Sequence, residues 1–401
     1  YKIVVLLKVG CTEDVLSSLN EDPSFEILGL DRRIIKAFAA AFLPPEIDDN
    51  NYLSDDPAHI IVKEKYRNFL ASVWNEVAHS IGFHAIISGN FGYYAERELA
   101  GAAKSIGIPF VVMQKENLRS PGQVIMDEKR NREKRGPFTG TMILQYNNIE
   151  KEIELKSGVV KPEQTCVVGM PRMDRIHKWR KQYATKPIEG KKIILFFLFG
   201  LKSGIPTLPR KTSSTEDLPT EIKNAVWTNM QELCIKTLIE TARKAPDIIV
   251  MMKTKGNKSS IELFKKRFAK NKSLPPNFKI VVGGDPLNLL LKSTVICGFN
   301  STAIFEAIAA NKPVIIPRFA EAIDKKMASY IIDMEDTVEY AGSPEELSAM
   351  LIKTANNEKF LSRGKDLSEK QKYILDKWTG NSDGEAGNRV KNELVKILEK
   401  G

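Results

Sequence analysis

Short apolar segments of strand length alternate with longer segments of helical periodicity along most of the chain, and this alternation constrains the fold more than any other feature. Residues 3–7 and 110–113 are such segments in the first half, and residues 193–199 begin a second series. Continuous apolar runs indicate strands buried on both faces, and strand–helix alternation builds parallel sheets covered by helices. We therefore predict an α/β fold in which two doubly wound parallel sheets face each other across a cleft.

The length of the chain supports two domains. At 401 residues it exceeds what a single hydrophobic core usually organises. A polar stretch at residues 185–192, which contains proline and glycine, is typical of a linker. We place a first Rossmann-like domain at residues 1–186 and a second at residues 187–375. In such sheets ligands bind beyond the carboxyl ends of the strands, so we expect functional residues in the loops there.

The chain carries 60 Lys and Arg against 50 Asp and Glu, a formal net charge of +10. This excess favours anionic partners such as nucleotide phosphates, an acidic glycan or an anionic membrane surface. The four cysteines and four histidines show no spacing typical of a disulfide framework or a metal site. No apolar run approaches the ~20 residues of a membrane helix. We expect a cytoplasmic protein that works without a metal ion, and the sequence leaves its oligomeric state open.

The segment at residues 294–319 is the strongest candidate for a binding site. A buried strand runs into a tight turn, and Asn300, Ser301 and Thr302 then begin a helix. Free N–H groups and the positive end of a helix dipole favour a phosphate there. Glu306 follows about one turn later, where its carboxylate could accept hydrogen bonds from a ribose diol. The alternative is that Asn300 or Ser301 only caps the helix and Glu306 faces solvent.

This segment resembles the nucleotide-binding half of GT-B glycosyltransferases, above all those of bacterial surface and capsular polysaccharide assembly, with relatives among CDP-glycerol and polysialic acid enzymes. Residues 158–164, 166–174 (CVVGMPRMD) and 383–390 (DGEAGNRV) carry the same resemblance. It implies a nucleotide-sugar donor in the second domain and a glycan or lipid-linked glycan acceptor. It also implies work at the inner membrane face, no cofactor beyond the donor, and a C-terminal helix, residues 376–401, that packs back on the first domain.

Further donor-binding candidates follow other strands. Many relatives carry a Lys-x-His-Pro motif where this chain has Lys253 and Lys255, so lysine would replace histidine in binding the donor. Gly200 and Gly283 also follow strands of the second domain, and a glycine lets a diphosphate or nucleobase approach the backbone closely. Arg172, in the Gly-x-Pro-Arg-x-Asp turn, could hold a donor phosphate or could pair with Asp174 and brace the turn.

Sugar transfer needs a group that accepts the proton of the acceptor hydroxyl. Glu116 is the first choice because it follows a buried strand and has basic neighbours, and Glu96, on the helix after a Gly-rich turn, is the second. Together these features predict a metal-independent glycosyltransferase.

Two alternatives stay open. A nucleotide-sugar epimerase of the same fold would work by elimination and re-addition, and should present several carboxylates and a histidine in the cleft, whereas this chain is poor in histidine. A non-enzymatic binder of anionic ligands would also suit the positive charge. No segment interleaves basic and aromatic residues as nucleic-acid-binding proteins do, so we expect no nucleic-acid partner.

Overall fold

The computed structural model describes residues 1–49, 51–115, 118–183, 192–207, 218–255, 268, 273–357 and 364–400. Two six-stranded sheets organise these residues, and all strand pairs in both are parallel. The predicted fold class, two doubly wound α/β halves, is confirmed. We call the part built on the first sheet the first lobe and the part built on the second sheet the second lobe. The predicted boundary at residue 186 lies outside the described residues.

The first sheet has the strand order β2-β1-β3-β4-β5-β6, so the chain starts near one edge and reverses direction after β2. Its strands are β1 Lys2–Leu7, β2 Glu26–Asp31, β3 Ala85–Ser88, β4 Phe110–Met113, β5 Met142–Gln145 and β6 Thr165–Val167. The second sheet has the order β12-β11-β10-β7-β8-β9. Its strands are β7 Ile193–Phe197, β8 Ile249–Thr254, β9 Phe278–Val282, β10 Val295–Cys297, β11 Val314–Pro317 and β12 Glu339–Ala341.

Helices cover both faces of each sheet. In the first lobe the α-helices are α1 Cys11–Leu19, α2 Arg32–Phe42, α3 Pro57–Ile81, α4 Tyr94–Ser105, α5 Pro121–Arg130, α6 Asn148–Lys156 and α7 Asp174–Tyr183. The remaining α-helices with described bounds are α8 Thr220–Asn224, α9 Thr228–Lys244, α10 Pro286–Lys292, α11 Thr302–Ala309, α12 Pro344–Asn356, α13 Glu369–Thr379 and α14 Ala386–Leu398.

The first strand shows why its apolar run predicts the fold. Val4 and Leu6 pack in the core that α2, α3 and α4 cover, whereas Ile3 and Val5 pack in the core on the opposite face. A strand that alternates between two buried faces needs apolar residues at every position. The run at residues 3–6 meets that need.

The end of the chain crosses from the second lobe to the first. Trp378, near the end of α13, is buried in the core of the second lobe. Val390 and Leu394 of α14 instead pack beneath the first sheet, against Val15 and Leu19 of α1. Within the described residues, no helix is both long enough and apolar enough to cross a membrane.

Candidate functional site

The carboxyl end of the first sheet presents two cations. A Cβ at Gly10, after β1, would lie 3.4 Å from Cδ of Lys115 and 3.9 Å from Nη1 of Arg172. A Cβ at Gly89, after β3, would lie 3.7 Å from the same Cδ of Lys115. The two glycines therefore leave a trough in which the side chain of Lys115 lies, close to the guanidinium of Arg172. This part of the cleft suits an anionic ligand.

Arg172 pairs with Asp14 and not with Asp174. Its Nη1 donates to Oδ2 of Asp14 at 2.8 Å and to the hydroxyl of Tyr146 at 2.6 Å, and Tyr146 also donates to Asp14. Its backbone N–H donates to Oδ1 of Asp14 at 3.1 Å. Burial raises the pKa of Asp14, and the guanidinium of Arg172 and the Tyr146 hydroxyl oppose that rise. The group fixes the direction of Arg172 by charge-assisted hydrogen bonds.

The second lobe places a carboxylate within electrostatic reach of Arg172. Glu306 lies half-buried on α11, and burial raises its pKa, while the positive charges of Arg172 first and Arg175 second lower it. Arg175 also reaches Asp285 across the lobes, with Nη2 and Oδ1 4.0 Å apart. The structure thus brings together two residues predicted from distant segments, Arg172 and Glu306, in one interlobe site.

The start of α11 matches part of the predicted phosphate site. Ser301 caps the helix, since its Oγ accepts from the N–H of Ala303 at 3.4 Å, and Thr302 is the first helical residue. Both side chains are half-buried. Asn300 is different, because its side-chain amide is bonded to two loops of the protein: Nδ2 donates to the carbonyl oxygens of Ser203 at 3.1 Å and Tyr330 at 2.8 Å.

The other predicted donor-binding residues line the same edge of the second sheet. Lys253 is half-buried at the end of β8, and its pKa is lowered by burial and then by the positive charge of Lys255, which is exposed. Gly200, after β7, and Gly283, after β9, are both exposed. Because β10, β7, β8 and β9 are neighbours in that order, their loops lie side by side with the start of α11.

Of the two predicted catalytic carboxylates, Glu116 and Glu96, the structure describes only Glu96. Glu116 lies outside the described residues. Glu96 is only 3% exposed, and its carboxylate accepts from Nε of Arg32 and from Oγ of Ser88. Burial raises the pKa of Glu96, and Arg32 opposes the rise. Both of its carboxylate oxygens are therefore hydrogen-bonded within the protein, one to the start of α2 and one to the end of β3.

None of the four histidines lies at the carboxyl end of a strand. His59 and His79 belong to α3, and His84 precedes β3, where its Nδ1 accepts from the backbone N–H of Lys2 at 3.0 Å. His177 is buried on α7. Among the described side chains, no three histidine, cysteine or carboxylate groups converge as metal ligands would.

Asp14 and Tyr146 are absent from the residues predicted to form the site, and Lys115 enters the prediction only as a basic neighbour of Glu116. One signal for Asp14 exists in the sequence: it lies in the apolar stripe of α1 with Cys11, Val15 and Leu19, where an unpaired carboxylate would be costly. Its partner, Arg172, is 158 positions away, so pairing could not be predicted from spacing.

Solved structures with a similar fold exist, although no protein-family model and no curated protein sequence matches the chain. One is the UDP-GlcNAc 2-epimerase of Neisseria meningitidis bound to UDP-GlcNAc, with 12% identity, TM-score 0.54, and 99% of this chain and 100% of that one covered. S. aureus MnaA with UDP has 14% identity, TM-score 0.53 and coverages of 99% and 97%. The Methanocaldococcus jannaschii UDP-GlcNAc 2-epimerase with UDP-GlcNAc and UDP has 12% identity, TM-score 0.50 and coverages of 99% and 100%.

These similarities correct the predicted function. The fold is of the GT-B type, as the resemblance implies, but two of these solved structures, which match over nearly the full length of the chain, are described as UDP-GlcNAc 2-epimerases. The predictions of a glycosyltransferase and of a capsule-assembly transferase family are therefore wrong, and the epimerase alternative agrees better with the comparisons. The physical reason for the error is that one fold serves both chemistries, so motifs that report the fold do not separate them.

Proposed function

We propose that this protein binds a UDP-sugar in the interlobe cleft and epimerises its sugar. The observation that carries the proposal is that Glu306, on α11 of the second lobe, lies within electrostatic reach of Arg172 of the first lobe. The nearly full-length similarity to epimerases solved with UDP-GlcNAc and UDP supports the same ligand class. At this level of identity the similarity concerns the fold, and the proposal therefore depends on the residues of the cleft.

The diphosphate and the ribose of UDP have suitable partners. The diphosphate would bind at the first turn of α11, near Ser301, where the positive end of the helix dipole favours an anion. Arg172, Lys115 and Lys253 would add positive charge around it, because all three follow strands that end at the cleft. The carboxylate of Glu306 would accept from the ribose hydroxyls, and the neighbouring arginines favour its charged form.

Epimerisation by elimination and re-addition requires no change of oxidation state. A base removes the proton from C2 of the sugar as the C1–O bond breaks and UDP departs with the electron pair. UDP then re-adds to C1 while a proton is delivered to the other face of C2. Positive groups around the departing diphosphate lower the barrier. Since the histidines lie elsewhere, we assign proton transfer to a lysine or carboxylate, with Lys115 and Glu116 as candidates after β4.

Binding is tested with UDP and 2′-deoxy-UDP by isothermal titration calorimetry. We expect Glu306→Ala to weaken UDP binding about tenfold, the effect of losing about 1.4 kcal/mol. The same variant should bind 2′-deoxy-UDP almost as well as the wild type does, because the hydroxyl that Glu306 contacts is already missing. Glu339→Ala, which removes an exposed carboxylate on β12, is the control. Equal losses for both nucleotides would contradict the assignment of Glu306 to the ribose.

Turnover is tested by incubating the protein with UDP-GlcNAc in D₂O and following the sugar by NMR. We expect the C2 epimer to appear and deuterium to accumulate at C2, and Lys115→Ala and Arg172→Ala to slow both at least tenfold. Binding of UDP without any exchange at C2 would refute the epimerase proposal and favour the non-enzymatic binder of anionic ligands.

A further inference from the structure

The side chain of Asn300 makes hydrogen bonds that join three segments of the second lobe. Besides the two bonds from its Nδ2, its Oδ1 accepts from the backbone N–H of Ile332 at 3.0 Å. The amide therefore ties the turn after β7, which contains Ser203, to the segment around Tyr330 and to the start of α11. These three hydrogen bonds hold the loops in place, and the Asn300 amide cannot also turn towards a ligand without breaking them.

The backbone around the Asn300 side chain is tightly packed. A Cβ at Gly204 would overlap the carbonyl oxygen of Tyr330 and the side-chain amide of Asn300. Asn300 itself has a φ of 45°, in the left-handed region that few non-glycine residues adopt. Such a conformation persists where surrounding contacts enforce it, and it is frequent at functional sites. Its neighbour Ser301 is the N-cap of α11.

The first lobe docks on this same structure. Ser120 is fully buried and caps α5, and its Oγ donates to the carbonyl oxygen of Gly204. In the first turn of α5, Gly122 packs on the ring of Tyr330, since a Cβ there would lie 2.8 Å from Cε1. We call this contact, formed by Ser120, Gly122, Gly204 and Tyr330, the α5 junction. Both of its second-lobe residues belong to segments that Asn300 holds.

We propose that Asn300 is a positioning residue that couples nucleotide binding at the start of α11 to the α5 junction between the lobes. The inference rests on the proposed function for the nucleotide, and on the hydrogen bonds above for the junction. Because coupling between two sites is reciprocal, a nucleotide that orders the start of α11 stabilises the junction, and an intact junction strengthens nucleotide binding. Asn300 was predicted as a ligand of the nucleotide, and this inference gives it a different role.

The test compares Asn300→Ala with Asn311→Ala, a substitution matched in residue type, backbone and helix. Asn311 follows the other end of α11, has a φ of 54°, and also donates from Nδ2 to a loop, at Gly364. UDP affinity is measured by calorimetry, and hydrogen–deuterium exchange is followed in peptides covering residues 121–126 and 330–334. For Asn300→Ala we expect UDP binding about tenfold weaker and faster exchange in both peptides. Asn311→Ala should change neither.

The exchange of residues 121–126 is the decisive reading because these amides belong to the other lobe. UDP should slow it in the wild type and leave it unchanged in Asn300→Ala. If Asn300→Ala speeds exchange only at 330–334, or if Asn311→Ala has the same effects, the proposal is wrong. Should Asn300→Ala not fold, Asn300→Asp retains the acceptor for Ile332 and loses both donated bonds, and Ser120→Ala removes the interlobe bond together with the side-chain cap of α5. Both should weaken UDP binding about threefold, and wild-type affinity in both would overturn the coupling.

Failure of the proposed function gives a different result. A wild-type protein that binds no UDP would refute the UDP-sugar proposal and the coupling to nucleotide. The exchange of residues 121–126 without nucleotide would still decide whether Asn300 holds the α5 junction: faster exchange in Asn300→Ala than in Asn311→Ala supports that role, and equal exchange refutes it.

Discussion

Two of the contacts between the lobes are built differently. At the crossover junction, where the chain returns to the first lobe, Asp174 accepts from the backbone N–H of Gly387 and the amide of Asn381, both at 2.7 Å. Arg389 donates to the carbonyl oxygens of Val168 and Gly380, both at 2.9 Å. The α5 junction relies on one hydroxyl, that of Ser120, and on packing against Tyr330. Half-buried charged groups with several hydrogen-bond partners resist displacement more than one neutral hydrogen bond and one packed ring do.

This difference matters because each junction adjoins one wall of the cleft. Arg172 lies between Val168 and Asp174 of the crossover junction, and Ser301 follows Asn300 beside the α5 junction. The crossover junction therefore fixes Arg172, whereas the α5 junction can respond to what binds at the start of α11. Movement of packed lobes about a few fixed residues is a common route to closure around a ligand.

The largest effect should come from Gly380→Ala at the crossover junction. A Cβ there would overlap the carbonyl oxygen of Tyr146, and the φ of 59° is itself costly for alanine. Because the obstacle is backbone, we expect a loss of about 4 kcal/mol in the free energy of unfolding, measured by urea denaturation. Gly107→Ala is the control, since its φ is 73° and nothing lies within 4 Å of a Cβ there. It should lose only about 1 kcal/mol. A similar loss in both variants would show that the crossover junction yields.

The pH dependence of stability gives a second test of the crossover junction. Arg180 donates to Nδ1 of His177 at 2.9 Å, so the ring proton is on Nε2, which donates to the carbonyl oxygen of Asn381 at 3.1 Å. Burial, and then the charge of Arg180, lower the pKa of His177 from 6.5 to about 4. The unfolded chain takes up a proton below pH 6.5 and the folded chain does not, so stability present at neutral pH is lost between pH 6.5 and 4.

The expected loss attributable to His177 is about 3 kcal/mol, from the equivalence of one pKa unit to about 1.4 kcal/mol. Urea denaturation from pH 8 to 4.5 of the wild type and of His177→Gln isolates it. The stability difference between the two proteins should shift in favour of the variant as the pH falls. A difference that stays constant over this range would mean that the pKa of His177 is the same in the folded and unfolded states, which would contradict the expected shift.

A structural feature could be predicted from the sequence where neighbouring residues determine it, and could not where residues far apart in the chain determine it. The strands were predictable because burial on both faces demands a continuous apolar run, which is visible locally at residues 3–7 and 110–113. The segments at residues 166–174 and 383–390 were recognisable, and the resemblance implies that the C-terminal helix returns to the first domain. The bonds between these two segments were not predictable, because more than 200 residues separate Asp174 from Gly387.

The site was predicted in part. Arg172, Ser301 and Glu306 follow strands or begin a helix, so the topology places them at the cleft. The role of Asn300 depends on Ser203 and Tyr330, which converge only in the folded chain. The reaction was predicted wrongly because the fold, which the motifs report, does not specify it.

The smallest effect should come from Gly122→Ala at the α5 junction, the counterpart of Gly380→Ala. A Cβ at Gly122 would lie 2.8 Å from the ring of Tyr330 and 3.3 Å from the carbonyl oxygen of Ser329, so the closest obstacle is a side chain. Alanine also favours a helix over glycine by up to about 1 kcal/mol. We expect these effects to offset, leaving the free energy of unfolding within about 1 kcal/mol of the wild type, while exchange at residues 330–334 becomes faster. Gly101→Ala, within α4, is the control, because a Cβ there would meet first the Arg67 side chain at 3.1 Å. A loss as large as that of Gly380→Ala would show that both junctions are equally rigid, and the lobes would then have no contact free to respond to a nucleotide.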